Sequence, residues 1–298
     1  MQIGFVGLGK MGLNMVKRAL KEHEVFCFDI NKNAKENAKK EGALVFDSIK
    51  EMISKMGQKK IIWVMVPSGK VTSDTIQEVS KFLKKDDIII DGGNSYYKDS
   101  IEIGNNLSKS GINFLDIGTS GGIWGEKLGY CLMIGGEKKG FENIEPILKT
   151  LSKDNSYSYV GKLGTGHFVK MIHNAIEYGM MQAYAEGFEI LKEKSEFDLD
   201  LKKIASLWNK GSVIRSWLLE LVENVYEKDQ NLKDIMPYVE DSGEGKWSIK
   251  EALDLNLSIP AITAALYDRF SSRKENSHKY KLLAALREKF GGHRVKKG

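Results

Sequence analysis

From Met1 to about Val160 the chain alternates short apolar runs with patterns of helical period. The runs Gln2–Val6, Val25–Phe28, Ala43–Phe46, Ile61–Val66, Ile88–Ile90, Asn113–Ile117, Cys131–Ile134 and Tyr157–Val160 read as strands. Helices fit between most of them, for instance Met11–Lys21, Asn31–Lys40 and Gly69–Leu83. Such alternation predicts βαβ units, a mostly parallel sheet and helices on both of its faces. Less regular chain joins the last two or three strands, so their direction stays open. After Gly161 the strand pattern stops. The amphipathic stretches Thr165–Lys194, Leu201–Trp208, Ile214–Tyr226, Ile249–Leu255, Pro260–Ser271 and Lys279–Phe290 follow. The fold class expected is therefore α/β followed by all-α. A doubly wound dinucleotide-binding domain spans residues 1–163, and a helical domain spans 164–298. No internal repeat or low-complexity linker separates them.

One stretch departs from this routine patterning. In Gly164–Tyr178, a turn of about 100° per residue puts Lys170, His173, Asn174, Glu177 and Tyr178 on one side of the helix. Phe168, Val169, Met171, Ile172, Ala175, Ile176 and Met180 fill the rest of its circumference. A surface helix keeps its apolar stripe narrow. Here the apolar arc is the wider one, which predicts a helix buried nearly all round. A buried stripe holding an amine, an imidazole, an amide, a carboxyl and a phenol is costly unless a polar ligand faces it. A satisfied polar core is the bland alternative; a substrate site explains the stripe better.

Composition narrows the classes. The chain has 298 residues, 42% hydrophobic and 29% charged, as in a globular protein. Its 45 basic and 40 acidic residues leave a charge of +5, which suits small anionic substrates. The dense basic run is confined to Arg294–Lys297, so a nucleic-acid partner is not expected. No apolar run approaches the roughly 20 residues that span a bilayer. The two cysteines, Cys27 and Cys131, lie in strand-like runs and are expected as buried thiols of a reducing cytoplasm. The chain opens directly on a strand pattern, which argues against a cleaved signal peptide.

Gly7-Leu8-Gly9-Lys10-Met11-Gly12 follows the first strand and opens a helix, the context in which G-x-G-x-x-G marks a Rossmann-type dinucleotide site. Its glycines let backbone approach a pyrophosphate, whose charge the helix N-terminus stabilises. Gly7, Leu8, Gly9, Met11 and Gly12 are the expected contacts, joined by Val66, Pro67 and Asn94. Asp29 ends the second strand, where a carboxylate accepts from the adenosine ribose hydroxyls and repels a 2′-phosphate. NAD is thus the expected cofactor, with NADP possible because Lys32 lies near. A helix cap is the structural alternative for Asp29. Asp91-Gly92-Gly93-Asn94-Ser95 follows the fifth strand and Ser120-Gly121-Gly122 the sixth, both at strand carboxyl ends where open α/β sheets bind ligands.

Taken in order, these motifs resemble decarboxylating 6-phosphogluconate dehydrogenases. The resemblance rests on the glycine fingerprint with Met11-Gly12-Leu13-Asn14, the Asp91–Ser95 loop, Ser120–Gly122 and the Gly166–Tyr178 helix. It continues through Gly245-Lys246-Trp247, Arg269 and the tail Phe290-Gly291-Gly292-His293. The length is similar to that of the family's short form. The resemblance implies Lys170 as general base and Glu177 as general acid. It implies that Asn94, Ser120, Gly121, Gly122, His173 and Asn174 hold the sugar-acid carboxylate and hydroxyls. Tyr178, Arg269, Arg287 and His293 would surround the phosphate, the last two reaching over from a neighbouring subunit of a homodimer or a dimer of dimers. Two departures stand out. Asp29-Ile30 replaces the Asn-Arg pair of NADP-using members, and Ser242 and Glu244 replace a phosphate-binding Lys and a Thr, which shifts attention to Lys246.

The chemistry implied is oxidative decarboxylation of 6-phospho-D-gluconate to ribulose 5-phosphate and CO₂. A lysine buried beside His173 favours the neutral amine and takes the C3 hydroxyl proton. As an ammonium it then polarises the new ketone, so decarboxylation proceeds without a metal; His167 and His173 point to different helix faces, and no metal site is expected. The alternative enzyme is a 3-hydroxyisobutyrate-type β-hydroxyacid dehydrogenase, which needs neither a proton donor at C1 nor a basic phosphate pocket. A redox-sensing NAD-binding protein without turnover is the non-enzymatic alternative.

Overall fold

The computed structural model describes residues 1–291 together with 294 and 296. It divides into two compact units, Met1–His173 and Asn174–Gly298. The first unit is wound around one eight-stranded sheet. In chain order it runs β1 (Gln2–Val6), α1 (Lys10–Ala19), β2 (Glu24–Phe28), α2 (Lys32–Lys40), β3 (Leu44–Val45), α3 (Ile49–Lys55), β4 (Ile61–Val64) and α4 (Lys70–Ser80). There follow β5 (Ile88–Asp91), α5 (Tyr97–Ser108), β6 (Asn113–Ser120), a short α6 (Gly125–Leu128), β7 (Tyr130–Gly136), α7 (Lys138–Leu151) and β8 (Ser152–Gly161). The spatial order is β3-β2-β1-β4-β5-β6-β7-β8. The first six strands are parallel, β7 runs antiparallel to β6, and β8 is parallel to β7. These pairings settle the direction the sequence left open. Between β1 and β4 the winding reverses, which makes the carboxyl ends of these strands the place where a ligand finds a crevice.

Alternation along the strands builds a core on each face. Ile3, Phe5, Cys27, Trp63, Ile88, Ile90 and Leu115 pack with α1 and α7 on one side. Val6, Phe26, Ile62, Val64, Ile89 and Phe114 pack with α3, α4 and α5 on the other. Strands buried on both faces must be apolar throughout, and Ile61–Val64 and Ile88–Ile90 are. β6 extends three residues beyond the apolar run, to Ser120, because Gly118, Thr119 and Ser120 pair with Met133, Leu132 and Cys131. One expectation fails there. Cys27 is buried, and burial pushes its thiol up to about 12, but Cys131 is exposed. It lies across from Ser120 and so shares the sheet face that Ser120 presents.

α8 (Thr165–Glu193) opens in the first unit and continues into the second. The second unit adds α9 (Leu201–Gly211), α10 (Trp217–Lys228), α11 (Glu244–Asp254), α12 (Pro260–Ser272) and α13 (His278–Gly291). Ser216 caps α10, its side chain accepting from Leu219 N, which starts that helix at Trp217 rather than Ile214. α11 begins at Glu244, five residues before its apolar pattern, after Gly243 in a left-handed conformation (φ 108°). α8 corrects a second expectation, since it is not buried all round. Met171, Ala175, Tyr178 and Phe188 are buried, whereas Val169, Ile176, Met180 and Ile190 are 37, 52, 39 and 70% exposed. Val169, Ile176, Ala183 and Ile190 recur every seven residues, so a straight apolar stripe of this long helix is exposed among the described residues.

Candidate active site

At the cofactor end, β1 stops at Val6 and the chain turns at Gly7 with φ 99°. A Cβ on Gly7 would lie 2.4 Å from Met65 O, and one on Gly12 2.2 Å from Gly7 O, so turn, helix and β4 are in backbone contact. Gly9 is different. It is the N-cap of α1 without any side-chain cap, and a Cβ there would meet nothing within 4 Å. Open space thus faces the unsatisfied N–H groups of the first turn, the arrangement that accepts pyrophosphate oxygens. These residues fit a dinucleotide.

Asp29 ties this loop to the second strand. Its Oδ2 accepts from Leu8 N at 2.6 Å and its Oδ1 from Asn31 N at 2.7 Å. The cap of α2 is Asn31, which accepts from Asn33 N and Ala34 N, so the helix-cap reading of Asp29 fails. Each carboxylate oxygen retains a second acceptor position for a ribose hydroxyl. Ile30 beside it is 92% exposed and offers no charge to a 2′-phosphate. Val66 and Pro67 follow β4 and Asn94 follows β5; Val66 and Asn94 are half-buried and Pro67 is exposed.

Further along the sheet, Asp116, Gly118 and Ser120 alternate onto one face of β6 and meet α8 at His167, Lys170 and His173. Asp116 Oδ1 accepts from Gly164 N and Oδ2 from His167 N, both at 2.8 Å. Burial pushes the Asp116 carboxyl above its ordinary range, against the opposing pull of His167 and of these N–H bonds. A Cβ on Gly118 would lie 2.4 Å from Lys170 Cβ, and one on Gly166 2.1 Å from Asp116 O. Glycine at both positions therefore lets the helix touch the strand. Lys170 is 9% exposed, with Nζ 3.4 Å from His173 Nδ1; His173 Nε2 lies 3.3 Å from Ser120 Oγ. Gly121 and Gly122, at φ 129° and 52°, turn the chain away directly after Ser120. Lys170, His173 and Ser120 thus form one polar chain on a glycine-rich rim.

In the second unit the stripe of α8 continues with Asn174, Glu177 and Tyr178. Tyr178 is buried, and its hydroxyl accepts from Ser242 N at 3.2 Å, with Ser242 Oγ at 3.4 Å. The Arg269 guanidinium stacks on the Tyr178 ring, 3.8 Å from its centroid, while Nη1 donates to Glu240 O at 2.9 Å. Stacking holds a flat, permanently charged fork beside a phenol and a serine, which is anion-binding chemistry. Lys246 is already engaged. Its Nζ is 2.9 Å from Asp241 Oδ1, and Arg273 Nη2 is 2.9 Å from Asp241 Oδ2. Burial raises the Asp241 carboxyl, but its bonds to Lys246 and Arg273 outweigh this and hold it below the usual carboxylate range.

Sequence reasoning missed one partner. Glu244, 1% exposed at the start of α11, accepts from Asn174 Nδ2 at 2.8 Å and so fixes the Asn174 amide. The signal available was the carboxylate standing where long-form members have Thr. Arg287 lies exposed on α13, and His293 lies outside the described residues.

The chain matches the model of the NAD binding domain of 6-phosphogluconate dehydrogenase over residues 2–161, and that of the 6-phosphogluconate dehydrogenase C-terminal domain over 166–297. A putative 6-phosphogluconate dehydrogenase of Bacillus subtilis is 46% identical, with all of both chains covered. The NAD(+)-dependent, decarboxylating 6-phosphogluconate dehydrogenase of Haloferax volcanii is 40% identical, covering 99% of this chain and 98% of that protein. Among solved structures, Plasmodium falciparum 6-phosphogluconate dehydrogenase, studied in its apo form and with NADP+ or 6-phosphogluconate, superposes with a TM-score of 0.83. It is 27% identical, and the match covers all of this chain and 66% of that one.

Proposed function

From the premise that the chain belongs to the 6-phosphogluconate dehydrogenase family, we propose how its own residues carry out the family's reaction. The enzyme oxidatively decarboxylates 6-phospho-D-gluconate to ribulose 5-phosphate and CO₂ with reduction of a nicotinamide dinucleotide. The observation that carries the residue assignment is the polar chain from Lys170 through His173 to Ser120 on one rim of β6. We assign residues 1–163 as the dinucleotide-binding domain, which also lends Asn94 and residues 120–122 to the substrate, and 164–298 as the helical substrate and dimerisation domain.

The bound nicotinamide supplies the hydride acceptor for C3. Gly7, Leu8, Gly9, Met11 and Gly12 hold its pyrophosphate, Asp29 the ribose, and Val66, Pro67 and Asn94 the nicotinamide side. Lys170 takes the C3 hydroxyl proton as the alcohol becomes a ketone. The resulting ammonium returns that proton to the ketone oxygen while the C1–C2 bond breaks and CO₂ leaves, so the electron pair ends in an enediol. Glu177, two turns along α8, protonates the carbon that lost CO₂, and Lys170 again takes up the hydroxyl proton as the ketone forms. Asn94, Ser120, Gly121, Gly122, His173 and Asn174 hold the carboxylate and hydroxyls. Tyr178 and Arg269 hold the phosphate within one chain.

The carboxylate of Asp29 and the exposed, uncharged Ile30 favour NAD over NADP. Substituting Asp29→Asn together with Ile30→Arg is expected to move the ratio of kcat/KM for NADP over NAD upward by about 10–100-fold, the worth of one charged hydrogen bond to phosphate. Steady-state kinetics with both cofactors check this. A native preference for NADP would show that Lys32 or another cation outweighs Asp29.

We also propose a homodimer, alone or paired into a dimer of dimers. Its support is the uncovered stripe of α8 together with α13, which exposes Leu282, Leu283 and Leu286 by about half each. Arg287 and His293 of one subunit then reach the phosphate in the next. No helix among the described residues is long and apolar enough to cross a membrane. We place the enzyme in the cytoplasm, with no nucleic-acid partner.

A further inference from the structure

We propose that Asp116 is the positioning residue of the active site, holding α8 at the depth and rotation on β6 that place Lys170 against its substrate. The starting observation is a buried carboxylate that no step of the mechanism uses. Asp116 is 0% exposed, and its two oxygens accept from the backbone N–H groups of Gly164 and His167, at the very start of α8. A carboxylate is stabilised at a helix N-terminus by unsatisfied donors and by the helix dipole. Here it comes from a strand rather than from the helix's own cap position. It therefore fixes where the helix sits on the sheet as well as satisfying it.

The neighbouring residues turn that anchor into a gauge. Gly118, two residues on, lies against the Lys170 stem so closely that a Cβ would come within 2.4 Å of Lys170 Cβ and 2.7 Å of Gly166 O. On β7, a Cβ on Gly135 would come within 2.5 Å of Asp116 Oδ1 and 2.6 Å of Gly166 N. Ser120, two further along β6, reaches His173. One strand face therefore reads three successive levels of one helix: cap at 116, seat at 118, and hydrogen bond at 120. Moving the cap moves the other two together. His167 closes the same end of α8 separately, with Nδ1 2.7 Å from Ser100 Oγ on α5. This second anchor runs through the His167 side chain to Ser100, whereas Asp116 holds the His167 backbone N–H, so Ser100 offers an internal control.

Asp116→Asn swaps one acceptor oxygen for an NH₂ group that faces a backbone N–H donor, which displaces the start of the helix. A displacement of about 1 Å in a catalytic group costs on the order of 10²-fold in rate, and kcat of Asp116→Asn is expected to fall by that factor. The KM and the dissociation constant for NAD should change by less than about twofold, since the cofactor loop is untouched. With 6-phosphogluconate deuterated at C3, the isotope effect on kcat should rise as hydride transfer becomes the slow step. Ser100→Ala should lower the melting temperature while leaving kcat and the isotope effect at their wild-type values.

The inference rests on Lys170 being the base. Full turnover in Lys170→Met would remove that premise, whereas an inactive Lys170→Met beside a fully active Asp116→Asn would overturn the positioning role alone. Equal losses of kcat in Asp116→Asn and Ser100→Ala, tracking their melting temperatures, would also overturn it, because both substitutions would then act only through stability. If Asp116→Asn yields protein that does not bind NAD, Gly118→Ala carries the test with the carboxylate intact. A loss of kcat with unchanged NAD binding supports the gauge, and wild-type kcat refutes it.

Discussion

Lys170→Met is expected to lower kcat by about 10⁴-fold or more while leaving the dissociation constant for NAD unchanged. Loss of a general base alone costs about 10²–10⁴-fold. Loss of a charge placed where an oxyanion develops adds a further 10²–10³-fold or so. Both roles fall on one atom in this account, so the two losses combine. Lys170 is 9% exposed and its stem is pressed against Gly118, so methionine fits the space without its charge. Single-turnover measurements with 6-phosphogluconate, following NADH, separate chemistry from product release. Turnover near the wild-type rate would remove Lys170 from the mechanism.

The second large effect concerns sharing between subunits. Deleting residues 287–298 is expected to raise the Michaelis constant for 6-phosphogluconate by on the order of 10²-fold or more, because the charge-assisted contacts to the phosphate proposed for Arg287 and His293 would be lost. That for NAD should stay near its wild-type value. Mixing two inactive proteins gives the sharper test, one carrying Lys170→Met and the other Arg287→Ala with His293→Ala. In a two-fold dimer with shared sites, each hybrid holds one site with both defects and one with neither. Random exchange should then restore roughly a quarter of the wild-type rate. No recovery after demonstrated exchange would place the tail in its own subunit's site, or in none.

The glycine fingerprint and the polar stripe of α8 were legible in the sequence because each depends on local spacing. A G-x-G-x-x-G after a strand dictates a turn whatever surrounds it, and helical period alone puts Lys170 and His173 on one side. The direction of β7 was not legible, since an antiparallel return leaves no periodic mark. Asp116 looked like one more residue in a strand; its role as the anchor of α8 depends on contacts 48 and 51 residues away in sequence. Glu244 was noticed as a departure from the long form, but its bond to Asn174 emerged only from folding. The burial of α8 was overestimated for a physical reason. Apolar width alone does not show whether a face is covered, and Ile176 and Ile190 are exposed.

This chain couples NAD reduction to release of CO₂ from 6-phosphogluconate. The most direct measurement follows NADH by absorbance and CO₂ by a coupled carboxylase in one reaction, with 3-hydroxyisobutyrate as the control substrate. NADH and CO₂ should appear in equal amounts from 6-phosphogluconate, with negligible NADH from 3-hydroxyisobutyrate. NADH from 3-hydroxyisobutyrate, or no CO₂ from 6-phosphogluconate, would contradict it.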